Sequence, residues 1–111
     1  MHKEAYQVLS ECANGYVGIC TSCKEFNFAY KNVLLTFEED TLLEFFTWLI
    51  EGRDNPRHLV ELPHGRCNVY QSPMCNLFLI YTREELNEIE QLFMEVQIML
   101  QARSIVTLKN K

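Results

Sequence analysis

The chain has 111 residues, 48% of them hydrophobic, so it is long enough to form one compact domain with its own apolar core. A formal net charge of -5 and a pI near 5.1 argue against a protein that mainly coats DNA or an acidic membrane. No apolar run reaches the roughly 18 residues of a membrane span, and Met1-His2-Lys3-Glu4 does not begin a signal peptide. We therefore expect a cytoplasmic protein.

The first half of the chain predicts strands followed by a helix. Aromatic residues alternate with period two over 25–30, which is typical of a half-buried strand. Acidic residues at 38–40 favour a helix N-terminus, and Gly52 is expected to end that helix. In chain order we expect an extended arm over 2–11, a turn at Asn14-Gly15, and strands over 16–20, 25–30 and 33–37, the last covered on both faces.

The second half follows a short loop at 53–57, which joins two parts of one domain. Thr82 and Glu85 match a capping box, with Thr82 as N-cap and Glu85 at the third helical position. The long helix that follows should end near Ala102. In chain order we expect strands over 58–62, 67–70 and 76–81.

A weak internal repeat relates the two halves. Aligned at an offset of 44, residues 20–51 and 64–95 share six identities in 32 positions. They are Cys23 with Cys67, Asn32 with Asn76, Leu35 with Leu79, Leu42 with Leu86, Glu44 with Glu88, and Glu51 with Glu95. The alternative is that two hairpins merely share hydrophobic patterning.

The repeat predicts an α+β fold. We expect a single domain over 1–111, built from two ββα-type pseudo-repeats at about 14–52 and 58–103. These should form one antiparallel sheet or a partly open barrel of about six strands, covered by two helices of which the C-terminal one is long.

The most informative motif is Cys20-Thr21-Ser22-Cys23, which the repeat matches with His64-Gly65-Arg66-Cys67. Thiolate and imidazole are the ligands that Zn²⁺ prefers, and two turns with two ligands each are the usual way to build a tetrahedral site. We predict that Cys20, Cys23, His64 and Cys67 bind one structural zinc ion, whose closed shell leaves no position for catalytic water. The alternative is that the two turns lie far apart.

A redox dithiol is the second interpretation of Cys20 and Cys23. It requires a helix N-terminus to lower the pKa of the nucleophilic thiol, and here a predicted strand follows instead. No phosphate loop, nucleophile elbow or zinc-protease motif is present, so we predict a protein that is not an enzyme. The remaining cysteines, Cys12 and Cys75, are expected to be small buried residues.

Basic residues near the two turns form a predicted docking patch. They are Lys24, Arg53, Arg57 and Arg66. Such a patch is usually solvated, but it would suit an acidic peptide or a nucleic-acid phosphate. Apolar residues beyond the main stripe of the last helix, Met94, Ile98 and Met99, suggest a homodimer contact or additional core.

The run from Gly15 to Cys23, Gly-Tyr-Val-Gly-Ile-Cys-Thr-Ser-Cys, leads into an aromatic strand and an acidic-capped helix. With Phe26, Phe28, Asn32, Leu35, Leu42 and Phe45, this run resembles a family of small uncharacterised bacterial proteins classed as a domain of unknown function. The resemblance covers about residues 12–50 and, more loosely, the last helix. It implies a small stand-alone intracellular protein and carries over no catalytic residue.

For function, the sequence predicts a non-enzymatic interaction or regulatory module with a structural zinc site and a protein partner. The alternatives are a nucleic-acid-binding zinc-knuckle protein, which the net charge disfavours, and a metal-free protein.

Overall fold

The computed structural model describes residues 6–55, 57 and 60–109, with side chains as far as Arg103. Within them the chain forms six strands, two α-helices and one short 3-10 helix at Pro63–Gly65. The elements in chain order are β1 (Tyr6–Cys12), β2 (Gly15–Cys20), β3 (Phe26–Tyr30), β4 (Val33–Phe37), α1 (Glu39–Asp54), β5 (Arg66–Gln71), β6 (Phe78–Thr82) and α2 (Arg83–Lys109). The predicted α+β class, with two helices and a long C-terminal one, is confirmed.

The first four strands form an antiparallel meander in the order β1-β2-β3-β4. The described part of the predicted arm is β1, which turns into β2 at Ala13-Asn14, and His2 to Ala5 lie outside the described residues. Gly15 opens β2 where a Cβ atom would overlap the carbonyl oxygen of Ala29, so only glycine fits this approach. The predicted aromatic strand is β3, and its three aromatic residues are buried.

Strand β4 differs from the prediction that both of its faces are covered. Val33 is 41% exposed and Leu34 is 40% exposed. In the described part of the chain, β4 is the last strand of its sheet and pairs only with β3. An edge strand buries less of its surface than a central strand, so its apolar composition did not predict its coverage.

Helix α1 starts at the predicted acidic residues but does not end at Gly52. It continues to Asp54. Gly52 is buried, and a Cβ atom there would lie 2.6 Å from Nδ2 of the buried Asn68. The glycine therefore allows close approach of β5 to the helix, and the prediction that it stops the helix is wrong.

The expected single sheet is divided into two. Strands β5 and β6 pair with each other as a separate two-stranded antiparallel sheet. Residues 60–62, the described part of the predicted strand 58–62, do not form a strand, although the backbone N–H groups of Val60 and Leu62 donate to the carbonyls of Cys67 and Arg66. The rest of that prediction, at His58 and Leu59, lies outside the described residues.

An aromatic cluster lies between α1 and β5. The ring centroid of Tyr70 lies 4.8 Å from that of Phe45 and 5.1 Å from that of Trp48, and both pairs are edge-to-face. Such pairs contribute about 0.5–1.5 kcal/mol each beyond the area they bury. The cluster therefore fixes β5 against this part of α1.

Helix α2 has the capping box predicted from its sequence. The N–H of Thr82 donates to Oε1 of Glu85 at 2.8 Å, and the N–H of Glu85 donates to Oγ1 of Thr82 at 3.1 Å. Four apolar residues of the helix are buried: Leu86, Ile89, Leu92 and Val96. The helix passes Ala102 and extends to Lys109, so the predicted end was too early.

The chain forms two compact units. Unit 1 comprises Met1–Leu43 and Gln91–Lys111, and unit 2 comprises Glu44–Glu90. In unit 1 the sheet β1–β4 carries most of the buried apolar residues, and in unit 2 they lie on α1, β6 and the first turns of α2. The unit boundaries fall inside both helices, and the pseudo-repeat halves 14–52 and 58–103 stay a prediction.

Candidate dithiol site

The Cys20–Cys23 turn connects two strands of unit 1. Strand β2 ends at Cys20 and β3 begins at Phe26. The turn is closed by two backbone hydrogen bonds of 2.8 Å, from the Cys20 N–H to the Glu25 carbonyl and from the Lys24 N–H to the Cys20 carbonyl. Lys24 adopts a left-handed backbone conformation with φ of 62°. The predicted strand-turn-strand setting of the two cysteines is therefore confirmed.

The two sulfur atoms have different surroundings. Cys20 is only 2% exposed, whereas Cys23 is exposed. Sγ of Cys20 accepts a hydrogen bond from the backbone N–H of Cys23 at 3.4 Å, and it lies 3.2 Å from Oγ of Ser22. The turn thus folds its own donors around the inner sulfur and leaves the outer one accessible.

These hydrogen bonds determine which sulfur holds the proton. The side chain of Cys23, followed by that of Ser22, stabilises the thiolate of Cys20 and lowers the pKa of Cys20 to about 6. The same contact with Cys20 raises the pKa of Cys23. At neutral pH the pair therefore consists of a Cys20 thiolate and a Cys23 thiol. The hydrogen bonds within the turn lower the pKa of Cys20 without a helix N-terminus, which the redox interpretation of the sequence had required.

A groove of about 640 Å³ opens beside Cys23 within unit 1. Its walls carry two cations, Lys24 and Arg103, and two carboxylates, Glu38 and Glu39. Its apolar lining comprises Ile19, Phe26 and Leu100. The sequence placed Glu38 and Glu39 only at a helix N-terminus. It gave no signal that α2 would bring Leu100 and Arg103 to the same groove.

The second predicted pair, His64 and Cys67, belongs to unit 2, whereas Cys20 and Cys23 belong to unit 1. His64 is exposed with φ of 61°, and Cys67 is half-buried in β5. Among the described residues, no three His, Cys, Asp or Glu side chains are arranged to hold a metal ion. Cys20 and Cys23 fit as two thiolate ligands of Zn²⁺, and the four-ligand site stays a prediction.

The residues of the predicted docking patch have unlike environments. Arg53 is engaged within unit 2, since its guanidinium contacts Asp54 at 2.8 Å and Glu90 at 3.0 Å. Lys24 lines the groove of unit 1, Arg57 is exposed, and Arg66 is half-buried at the start of β5.

The two remaining cysteines are not both buried, as had been expected. Cys12 is partly exposed, and Cys75 is exposed in the loop between β5 and β6. Cys75 therefore offers an accessible thiol outside the groove.

The fold and the turn together define a small α+β protein with a preorganised pair of cysteines. A family model matches residues 1–110, and the chain belongs to that family of unknown function, DUF6686. The predicted membership of a domain-of-unknown-function family is thereby confirmed. No curated protein and no solved structure matches the chain. Within the described residues, no helix combines the length and the apolar character needed to cross a membrane.

Proposed function

We propose that this protein is a non-enzymatic interaction or regulatory module in which Cys20 and Cys23 bind a structural zinc ion. The observation that carries the proposal is the backbone N–H of Cys23 donating to Sγ of Cys20. Backbone N–H groups that donate to a thiolate ligand orient it and stabilise its negative charge before the metal binds. A low Cys20 pKa also reduces the competition between protons and metal for the sulfur at neutral pH.

The remaining ligands are proposed from the sequence alone. His64 and Cys67 supply the two donor types that complete a tetrahedral zinc shell, and they follow at the matched offset of 44 residues. With four protein ligands the ion would stabilise the fold and would not activate water.

Elemental analysis of protein purified without chelator tests the proposal. We expect about one zinc per chain, from the single four-ligand shell. Cys20→Ser and Cys23→Ser should each lose the metal, and Cys75→Ser is the matched control that keeps it. His64→Ala and Cys67→Ser test the completing pair separately. A folded wild-type protein that neither retains nor takes up zinc would contradict the proposal.

The surroundings of the basic residues favour a protein partner over nucleic acid. The guanidinium of Arg53 is already paired with the carboxylates of Asp54 and Glu90. Phosphate binding depends on cations that are not already neutralised by neighbouring carboxylates.

A second copy of the chain is the partner we propose for α2. Met94 is 49% exposed and Ile98 is 63% exposed, and their spacing of four places them on one side of the helix. Pairing these side chains across a twofold axis would remove them from water. Sedimentation at several concentrations should show a dimer that Ile98→Gln weakens, whereas Gln97→Ala should leave it unchanged. A wild-type protein that is monomeric at every concentration would contradict this proposal.

A further inference from the structure

We propose that, in the metal-free protein, Cys20 and Cys23 exchange with small disulfides that carry both carboxylate and ammonium groups, and that the groove beside Cys23 binds them. This activity uses the same sulfurs as the proposed zinc site but does not require the metal. Zinc binding needs thiolates, whereas a disulfide has none, so the two states exclude each other.

Exposure determines which cysteine meets an external disulfide first. Cys23 is exposed and lines the groove, whereas Cys20 is only 2% exposed. The backbone N–H of Cys23 donates to Sγ of Cys20 at 3.4 Å, and the two side chains also share a hydrogen bond, so the two cysteines are in direct contact. Cys23 is therefore the entry cysteine and Cys20 is the resolving cysteine.

The charges of the groove indicate what kind of disulfide it would bind. Lys24 and Arg103 suit carboxylates, and Glu38 and Glu39 suit ammonium groups. The apolar lining at Ile19, Phe26 and Leu100 can accept the methylene segments beside the sulfur atoms. An uncharged disulfide would gain only the apolar contacts.

The reaction has two exchange steps and needs no other oxidant. Cys23 passes its proton to Cys20 as its sulfur attacks the disulfide, forming a mixed disulfide and releasing the first thiolate. That thiolate takes the proton from Cys20. The Cys20 thiolate then attacks Sγ of Cys23, forms the Cys20–Cys23 disulfide and releases the second thiolate. Two electrons pass from the protein dithiol to the small disulfide, which is reduced to one thiol and one thiolate.

The test uses the reduced, chelator-treated full chain with two probes. Glutathione disulfide carries carboxylates and ammonium groups, and hydroxyethyl disulfide is uncharged. Peptide mapping by mass spectrometry follows the rate at each cysteine, and the exposed Cys75 serves as a reference thiol outside the groove. We expect glutathione disulfide to consume the free thiol of Cys23, as mixed disulfide or as Cys20–Cys23 disulfide, about tenfold faster than that of Cys75, because binding worth about 1.4 kcal/mol gives that factor.

Variants separate the chemistry from the recognition. Cys20→Ser should accumulate a stable mixed disulfide on Cys23, and Cys23→Ser should not form one at Cys20. Lys24→Gln and Glu39→Gln should each slow the reaction of Cys23 with glutathione disulfide about fivefold, the effect of losing roughly 1 kcal/mol, with little change for hydroxyethyl disulfide. Lys31→Gln is the matched control, since Lys31 is also an exposed lysine with positive φ but lies in the β3–β4 turn.

Two results would overturn the inference. One is modification of Cys20 in folded Cys23→Ser protein as fast as Cys23 reacts in the wild type. The other is an equal response of both probes to Lys24→Gln and Glu39→Gln. Circular dichroism of each variant confirms that it is folded. Since no metal is present in these assays, a failure here is distinct from a failure of the zinc proposal, which the elemental analysis decides.

Discussion

The two turns aligned by the repeat, residues 20–23 and 64–67, share the spacing of their ligand-type residues but differ in the surroundings of their cysteine sulfur atoms. Cys20 is buried and accepts a hydrogen bond from the Cys23 N–H. Cys67 is half-buried in β5 and follows a turn in which His64 and Gly65 both have positive φ. The spacing fixes which side chains are available, whereas the local hydrogen bonds decide whether a sulfur is held as a thiolate. The first turn is therefore the one whose hydrogen bonds stabilise a cysteine thiolate.

Titration of thiolate absorbance in the reduced, metal-free protein would sharpen this contrast most. We expect a step with a midpoint near pH 6 from Cys20, since the Cys23 and Ser22 hydrogen bonds stabilise its thiolate. The step should disappear in Cys20→Ser and persist in Cys67→Ser. A titration step near pH 6 that persists in Cys20→Ser would show that the first turn does not stabilise the thiolate of Cys20.

Folding stability should depend on pH through the same cysteine. Its folded-state pKa is about 6 against an ordinary value of 9.0, so between these values the unfolded chain binds a proton that the folded chain does not. The free energy of unfolding should therefore rise from about pH 6 to 9, and this contribution is lost as the pH falls through 6. Above that range the raised pKa of Cys23 reverses the trend. Urea denaturation of wild type and Cys20→Ser measures the difference, which should vanish at low pH.

Directly after the aligned ranges, α1 has Gly52 at the position where α2 has the buried Val96. Gly52→Ala should destabilise the protein by about 2 kcal/mol, because overpacking against Asn68 outweighs the roughly 1 kcal/mol gained in helix propensity. Urea denaturation gives the value. In an Asn68→Ala background the same substitution should cost much less, and equal costs in both backgrounds would exclude the contact with Asn68 as the cause.

The backbone of the two turns gives the smallest expected effects. Gly65 has φ of 75°, whereas Lys24 occupies a left-handed conformation with φ of 62°. Gly65→Ala should lower stability by about 1 kcal/mol, and Lys24→Gly should change it little or raise it by up to about 1 kcal/mol, since only glycine adopts this region without a steric cost. Thermal unfolding measures both. A loss of stability in Lys24→Gly as large as that in Gly65→Ala would contradict this explanation.

Local patterns in the sequence predicted local structure well. The alternation at Phe26, Phe28 and Tyr30 and the capping box at Thr82 and Glu85 depend on neighbours within a few residues, and the strand and the box are both confirmed. The strand is more buried than the half-buried strand predicted, since Asn27 on its other face is 1% exposed. The predicted α+β class with a long last helix followed from the same kind of pattern.

The predictions that failed depend on residues far apart in the chain. Gly52 was expected to stop α1 because its contact with Asn68 is invisible in the sequence. The groove was missed for the same reason, since Arg103 joins Lys24 from the other end of the chain. Whether His64 and Cys67 complete a zinc site is likewise a long-range question, and it stays a prediction.

The aromatic cluster of Trp48, Tyr70 and Phe45 gives the protein a built-in optical probe. Trp48 is the only tryptophan, it is 45% exposed, and its ring lies 5.1 Å from that of Tyr70. Both residues belong to unit 2, so tryptophan emission follows the unfolding of residues 44–90, whereas far-ultraviolet circular dichroism follows the helices and sheets of both units. Coincident curves would mean that the whole chain unfolds in one cooperative step, and separated curves would give each unit its own stability.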